Sequence, residues 1–126
     1  MIIYKDNDIY IEKEQSEIPW LKVFTNKEYK ELSDAPKELR LKLWDVCNVV
    51  EEVMRAYYNP TKINLASFAN MLPRIHFHIM ARFENDSYFP NPMWGEKLRK
   101  GSIVLKKDEE EFFILVREAL TKRYNL

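Results

Sequence analysis

The 126-residue chain holds only two glycines, Gly95 and Gly101, and a single cysteine, Cys47. Two glycines cannot build a glycine-rich loop of the P-loop or Rossmann kind, so any phosphate bound here is held by other means. One cysteine excludes an intrachain disulfide and a thiolate metal cage. Lying inside an apolar helical pattern, Cys47 reads as a small buried hydrophobe. No apolar run approaches the length of a membrane span. The opening Met1-Ile-Ile-Tyr-Lys-Asp is too short and too soon charged for a signal peptide. The expectation is a cytoplasmic protein with no membrane partner. Neither sign of charge is in excess, since 20 Lys+Arg balance 20 Asp+Glu. That removes any global field drawing in nucleic acid. The small basic cluster of Lys97, Arg99, Lys100, Lys106 and Lys107 lacks interleaved aromatics and reads as solvated surface, so nucleic acid is not an expected partner.

What remains is an ordinary globular composition, 46% hydrophobic and 32% charged. The length suits one domain over residues 1–126, with a core from 1 to 95 and an extension from 96 to 126 that carries a terminal helix. Ile2 to Tyr4 and Ile9 to Ile11 are short β-prone runs on either side of a turn, Lys5-Asp6-Asn7-Asp8. Pro19 to Phe24 reads as a third strand. Ser33-Asp34-Ala35-Pro36 starts a helix, with cap-type residues and then proline in the first turn. Its apolar stripe is Leu39, Leu43, Val46, Val50, Val53 and Tyr57, and Asn59-Pro60 closes it. Ile63 to Phe68 and Ile75 to Phe83 are the fourth and fifth strands, joined by a short loop containing Pro73. Residues 84–101 are rich in turn signals and read as mostly irregular. Asp108 to Tyr124 reads as a second helix with Phe112, Leu115, Val116 and Leu120 as its apolar face. The order gives an α+β class: a mostly antiparallel five-stranded sheet packed against a long helix, plus a C-terminal helix.

Both histidines of the chain, His76 and His78, fall two residues apart on the fifth strand. Side chains alternate across a strand, so Arg74, His76 and His78 share one face, while Ile75, Phe77 and Ile79 point toward the helices. A guanidinium and two imidazoles on one face suit a phosphate. Imidazole is also a nucleophile near neutral pH without a special activating base. Two other readings of the pair stand beside this one. It can be an inert, solvated pair, or it can supply two ligands of a metal site completed by Glu84 or Asp86.

The wider segment narrows the choice. Asn64-Leu-Ala-Ser67-Phe-Ala-Asn70-Met-Leu-Pro-Arg74-Ile-His76-Phe-His78-Ile-Met-Ala-Arg82 resembles the signature of the histidine triad (HIT) superfamily. That motif is His-φ-His-φ-His-φ-φ, with φ apolar, after a strand and a phosphate-binding loop. Ile9 to Glu12, Pro19 to Thr25, the start of the first helix and the Phe89-Pro90-Asn91-Pro92-Met93-Trp94-Gly95 stretch fall in the family's order. The likeness covers roughly residues 2 to 95.

The resemblance implies that His76, at the middle position, attacks the α-phosphorus of a nucleotide to form a nucleotidyl-histidine. It implies that His78 hydrogen-bonds phosphoryl oxygens and assists the leaving group. Covalent capture splits one hard displacement into two easier ones. The nucleophile needs one neutral ring nitrogen, so the other requires a fixed acceptor, often a backbone carbonyl; if that of Arg74 plays the part, it survives the change of side chain. Two residues depart from the pattern. Arg74 stands where the first histidine belongs and offers a bidentate phosphate contact, but no general base. Trp20 stands where most relatives carry a fourth histidine, offering an indole N–H and a flat wall near the nucleotide. Glu12 falls where relatives hold ribose hydroxyls, and Ser67 and Asn70 fall in the phosphate-binding stretch. Ala69 and Met71 replace a usual glycine near Asn70, and Trp94 is a candidate cover.

The implied function is hydrolysis or nucleotidyl transfer on a nucleoside phosphoramidate or dinucleoside polyphosphate, with a purine nucleotide as ligand. The alternatives are a catalytically weak nucleotide-binding module and a protein-interaction domain. The resemblance also implies a homodimer built from the long helix and fourth strand. No cofactor or all-protein metal cage is expected, and any Mg²⁺ would arrive with a polyphosphate.

Overall fold

The computed structural model describes residues 1–124. β1 (Ile2–Lys5) and β2 (Ile9–Lys13) form a hairpin. Its turn is fixed by the carboxylate of Asp6, which accepts the backbone N–H groups of Asp8 (2.8 Å) and Ile9 (3.0 Å), the local bonding that favours Asp in turns. β3 is Trp20–Thr25, β4 is Lys62–Ala66 and β5 is His76–Arg82. All five pair antiparallel in the order β1-β2-β3-β5-β4. The chain thus leaves the sheet after β3, returns as the far edge strand β4, and fills the gap with β5.

The excursion after β3 is α1, Lys37–Tyr58. Its start differs from the sequence expectation. The cap-type residues close a separate 3₁₀ turn, Leu32–Asp34, in which the Asp34 carboxylate accepts the N–H of Glu31. Pro36 itself then serves as N-cap of α1. Asn59 ends the helix in the left-handed conformation, φ 48°, with its N–H donated to the Arg55 carbonyl. Asn tolerates that conformation better than most residues do. The buried stripe of α1 is Leu43, Val46, Cys47, Val50 and Met54, and burial pushes the Cys47 thiol up to about 12. It packs on Ile9, Ile11, Leu21, Val23, Ile79 and Ala81, the inward residues of the sheet.

α2, Glu109–Tyr124, lies against α1 and β1. Asp108 precedes it as a cap, accepting the N–H of Glu110 on its side chain. Its buried residues are Phe112, Phe113, Val116 and Leu120. Leu115, assigned to that face from the sequence, is instead half-buried beside Val53 and Tyr57, while Phe113 is buried. No helix among the described residues is long and apolar enough to cross a membrane. Between β5 and α2 the chain forms turns without a regular element. This return lays Trp94 against His78 on the face of the sheet opposite the helices.

Candidate functional site: two imidazoles at the foot of a cavity

The alternation of β5 places Phe77, Ile79 and Ala81 among the core residues. His76 and His78 therefore stand on the opposite face, where both are buried. They line a cavity of about 580 Å³ together with Glu12 and Glu14, Lys22 and Phe24, residues 68–72, and Trp94. That volume is in the range of small-molecule sites.

The two rings lie 5.0 Å apart and are held by different partners. His76 Nδ1 is 2.9 Å from the carbonyl oxygen of Arg74. A carbonyl only accepts, so Nδ1 carries the hydrogen and, in the neutral ring, Nε2 bears the lone pair. The ring stacks on Phe24 at 4.8 Å, and Phe24 stacks on Tyr10 at 4.9 Å. His78 is fixed in the reverse sense. The indole Nε1–H of Trp20 donates to His78 Nδ1 at 3.0 Å. An indole only donates, so Nδ1 bears the lone pair and Nε2 carries the hydrogen. Burial, the neighbouring His76 and the Lys22 ammonium together hold His78 well down, at about 4 against an ordinary 6.5. His78 is neutral at physiological pH. Among the described residues no protein group bonds either Nε2.

The other residues named from the sequence separate into two groups. Glu12, Asn70 and Trp94 line the same cavity as the histidines. Arg74, Trp20 and Ser67 do not. The Arg74 guanidinium lies over the rings of Tyr10 and Phe24, at 5.8 and 5.5 Å. It donates to the Thr25 carbonyl at 2.6 Å and meets Glu28 at 3.3 Å. It is therefore turned from the cavity and braces the aromatic stack beneath His76. Trp20 stands behind His78 as its hydrogen-bond donor rather than as a cavity wall. The Ser67 hydroxyl donates to the backbone carbonyl of His76 at 2.7 Å, tying the end of β4 to β5. Ala69, where the resemblance leads one to look for glycine, holds φ at 55°.

Lys22, Phe24 and Glu14 are cavity residues that the sequence reading did not name. The alternation of β3 was sufficient to find the first two, since Trp20, Lys22 and Phe24 share a face. Glu14 follows the end of β2, and no local signal marked it. Asp86, considered as a third metal ligand, is committed elsewhere: it pairs with Arg82 at 2.9 Å and accepts three backbone N–H groups. No group of three or more His, Cys, Asp or Glu able to hold a metal occurs among the described residues.

The sheet carries helices on one face and a pair of oppositely held imidazoles on the other. The HIT domain family model matches residues 1–85, and the chain belongs to that family. No curated protein matches it in sequence at a significant level. Among solved structures it is similar to a histidine triad protein from Bradyrhizobium japonicum, with 22% identity, TM-score 0.76, and 94% of this chain and 89% of that one covered. It is similar also to a histidine triad protein from Marinobacter aquaeolei, at 18% identity and TM-score 0.77, with 97% and 89% covered. A Plasmodium falciparum diadenosine triphosphate hydrolase matches at 18% identity and TM-score 0.60, with 98% and 74% covered.

Proposed function

We propose that this protein binds a purine nucleotide and acts on its α-phosphate as a hydrolase or nucleotidyl transferase through His76. The observation that carries the reading is the opposed pair of imidazoles, one with a bare Nε2 and the other with an Nε2–H, both facing the same cavity. In this reading Arg74 occupies the position of the first motif histidine and keeps its backbone part. Its carbonyl orients His76, and its side chain is not needed for that.

His76 Nε2 attacks the phosphorus, a P–N bond forms, and the bond to the leaving group breaks. His78 stays neutral and donates Nε2–H to a phosphoryl oxygen, so negative charge developing there meets a fixed donor. A neutral imidazole is a poor proton source. The leaving group thus departs as a phosphate, or as an amine that takes up its proton from solvent water rather than from His78. Water then displaces the nucleotide from His76 and restores the free ring. In this reading Glu12 meets the ribose hydroxyls and Asn70 the phosphate, while Trp94 covers the side of His78.

The test is AMP release from adenosine 5′-phosphoramidate by the native protein and by His76→Ala, with equal folding verified by circular dichroism. Release that vanishes in the variant supports the reading. AMP binding without release by either protein leaves a nucleotide-binding module. No binding at all removes the nucleotide altogether and leaves a protein-interaction domain as the reading.

Dimerisation belongs to the same proposal. β4 is an edge strand with Leu65 exposed, and the adjacent outer face of α1 exposes Leu41 and Trp44, at 60% and 68%. A second copy that extends the sheet would cover both. Sizing by light scattering checks this, and a monomer at high concentration rejects it.

A further inference from the structure

The cavity lining contains two carboxylates, two imidazoles and a single cationic chain, Lys22. Lys22 is the cross-strand partner of His78. Its side chain is only 17% exposed, and its ammonium sits 3.3 Å from Glu12 and 3.3 Å from Glu14. It also lies 5.8 Å from the centre of the Phe24 ring, which stacks on His76. The charge is therefore held on the same face as both imidazoles. Both ion-pair distances are long beside the roughly 2.7–2.9 Å of a tight charge-assisted bond. An ammonium carries three donors, and two loose carboxylate contacts leave capacity for a third acceptor. Arg74, the other cation of this face, directs its two terminal nitrogens to Thr25 and Glu28, its buried Nε has no partner, and its guanidinium does not line the cavity. With His78 neutral, removal of Lys22 would leave two carboxylates facing any incoming phosphate, an arrangement that repels it.

We infer that Lys22 is the phosphate-binding cation of this site, taking the part that Arg74 is not placed to play. On ligand entry its ammonium donates to a non-bridging phosphoryl oxygen while keeping a carboxylate partner. The inference rests on the nucleotide reading above and adds to it the residue that recognises the charge.

The experiment is calorimetric titration of AMP and, separately, of adenosine into native protein, Lys22→Met, Lys22→Arg and the double variant Lys22→Met/Glu14→Gln. Adenosine lacks the phosphate and reports whether the rest of the site is intact. Lys22→Met is expected to weaken AMP about tenfold or more, the size of a lost charge-assisted hydrogen bond, with adenosine unchanged. Lys22→Arg is expected to recover most of the loss. AMP is expected to remain weak in the double variant, because the phosphate contact is still missing. Full recovery there would overturn the inference, since Lys22 would then only offset Glu14. AMP and adenosine weakening together would also overturn it, leaving a structural lysine. Unchanged AMP affinity in Lys22→Met rejects Lys22 alone, whereas native protein that binds no AMP rejects the nucleotide reading and Lys22 with it.

Discussion

β5 presents buried polar groups at both of its ends, on the same face, and the two ends are built in opposite ways. At the Arg82 end every guanidinium nitrogen meets a protein acceptor. The guanidinium donates to Asp86 at 2.9 and 3.1 Å, to Asn64 at 2.8 Å and to the Asn91 carbonyl at 2.7 Å. Burial alone would push the Asp86 carboxyl up, but Arg82 and the N–H groups of Phe83, Tyr88 and Phe89 outweigh it and hold it below the usual carboxylate range. At the histidine end each ring has one nitrogen fixed and one left facing the cavity. Buried polar atoms are ordinarily paired within the protein. A satisfied cluster is structural. The histidine pair keeps one nitrogen of each ring open to the cavity, and those are the atoms the proposed nucleotide would meet.

The largest effect that would sharpen this contrast comes from Asp86→Ala. It strands a buried guanidinium and three backbone N–H groups, and is expected to cost about 3–5 kcal/mol. Urea unfolding at pH 7 measures it, and a loss under 1 kcal/mol would break the comparison.

Trp20→Phe comes next. It removes one hydrogen bond, worth about 1 kcal/mol, and changes the response to acid. In the native protein His78 titrates at about 4, below its ordinary 6.5. As pH falls through 6.5 the unfolded chain takes up a proton that the folded one refuses, so His78 withdraws stability until about pH 4. Without the indole N–H, Nδ1 is free to accept a proton. The His78 pKa is then expected to rise, and the acid loss of stability over this window to shrink. NMR titration of the imidazole signals decides it, and an unmoved His78 would show that burial acts without Trp20.

Arg74→Met follows. Because the guanidinium does not line the cavity, AMP affinity should change less than about threefold, while lost contacts to Thr25 and the aromatic stack lower stability by about 1 kcal/mol. A large loss of AMP binding would mean that Arg74 reaches the ligand after all. The smallest effect belongs to Ala69→Gly. Relief of the left-handed backbone is worth about 1 kcal/mol, and the added freedom of the unfolded chain cancels most of it. The melting temperature should stay within a degree or two, whereas a marked drop would assign the Ala69 methyl a packing role.

The fold was largely legible because its signals are local. β-branched runs marked the strands, and the spacing from Leu39 to Tyr57 marked α1. Phe113 was missed because the choice between it and Leu115 depends on where α1 lies, which no pattern within α2 contains. The site divides along the same line. His76 and His78 follow from alternation on one strand, and Lys22 was open to the same argument one strand away. The orientation of Arg74 was not legible, since its acceptors Thr25 and Glu28 are almost fifty residues distant. Nor was Ser67, whose bond to the His76 carbonyl exists only once β4 and β5 lie side by side.

The hydrogen bonds to the two Nδ1 atoms carry one more consequence. A carbonyl beside one ring and an indole beside the other decide which nitrogen holds each proton, before any ligand arrives. The difference between two chemically identical side chains is therefore stored in neighbours that never touch either Nε2 atom. Changing Trp20 to an acceptor would flip His78 into the tautomer of its neighbour. Both rings would then offer a lone pair to the cavity and neither a hydrogen, with every histidine still in place.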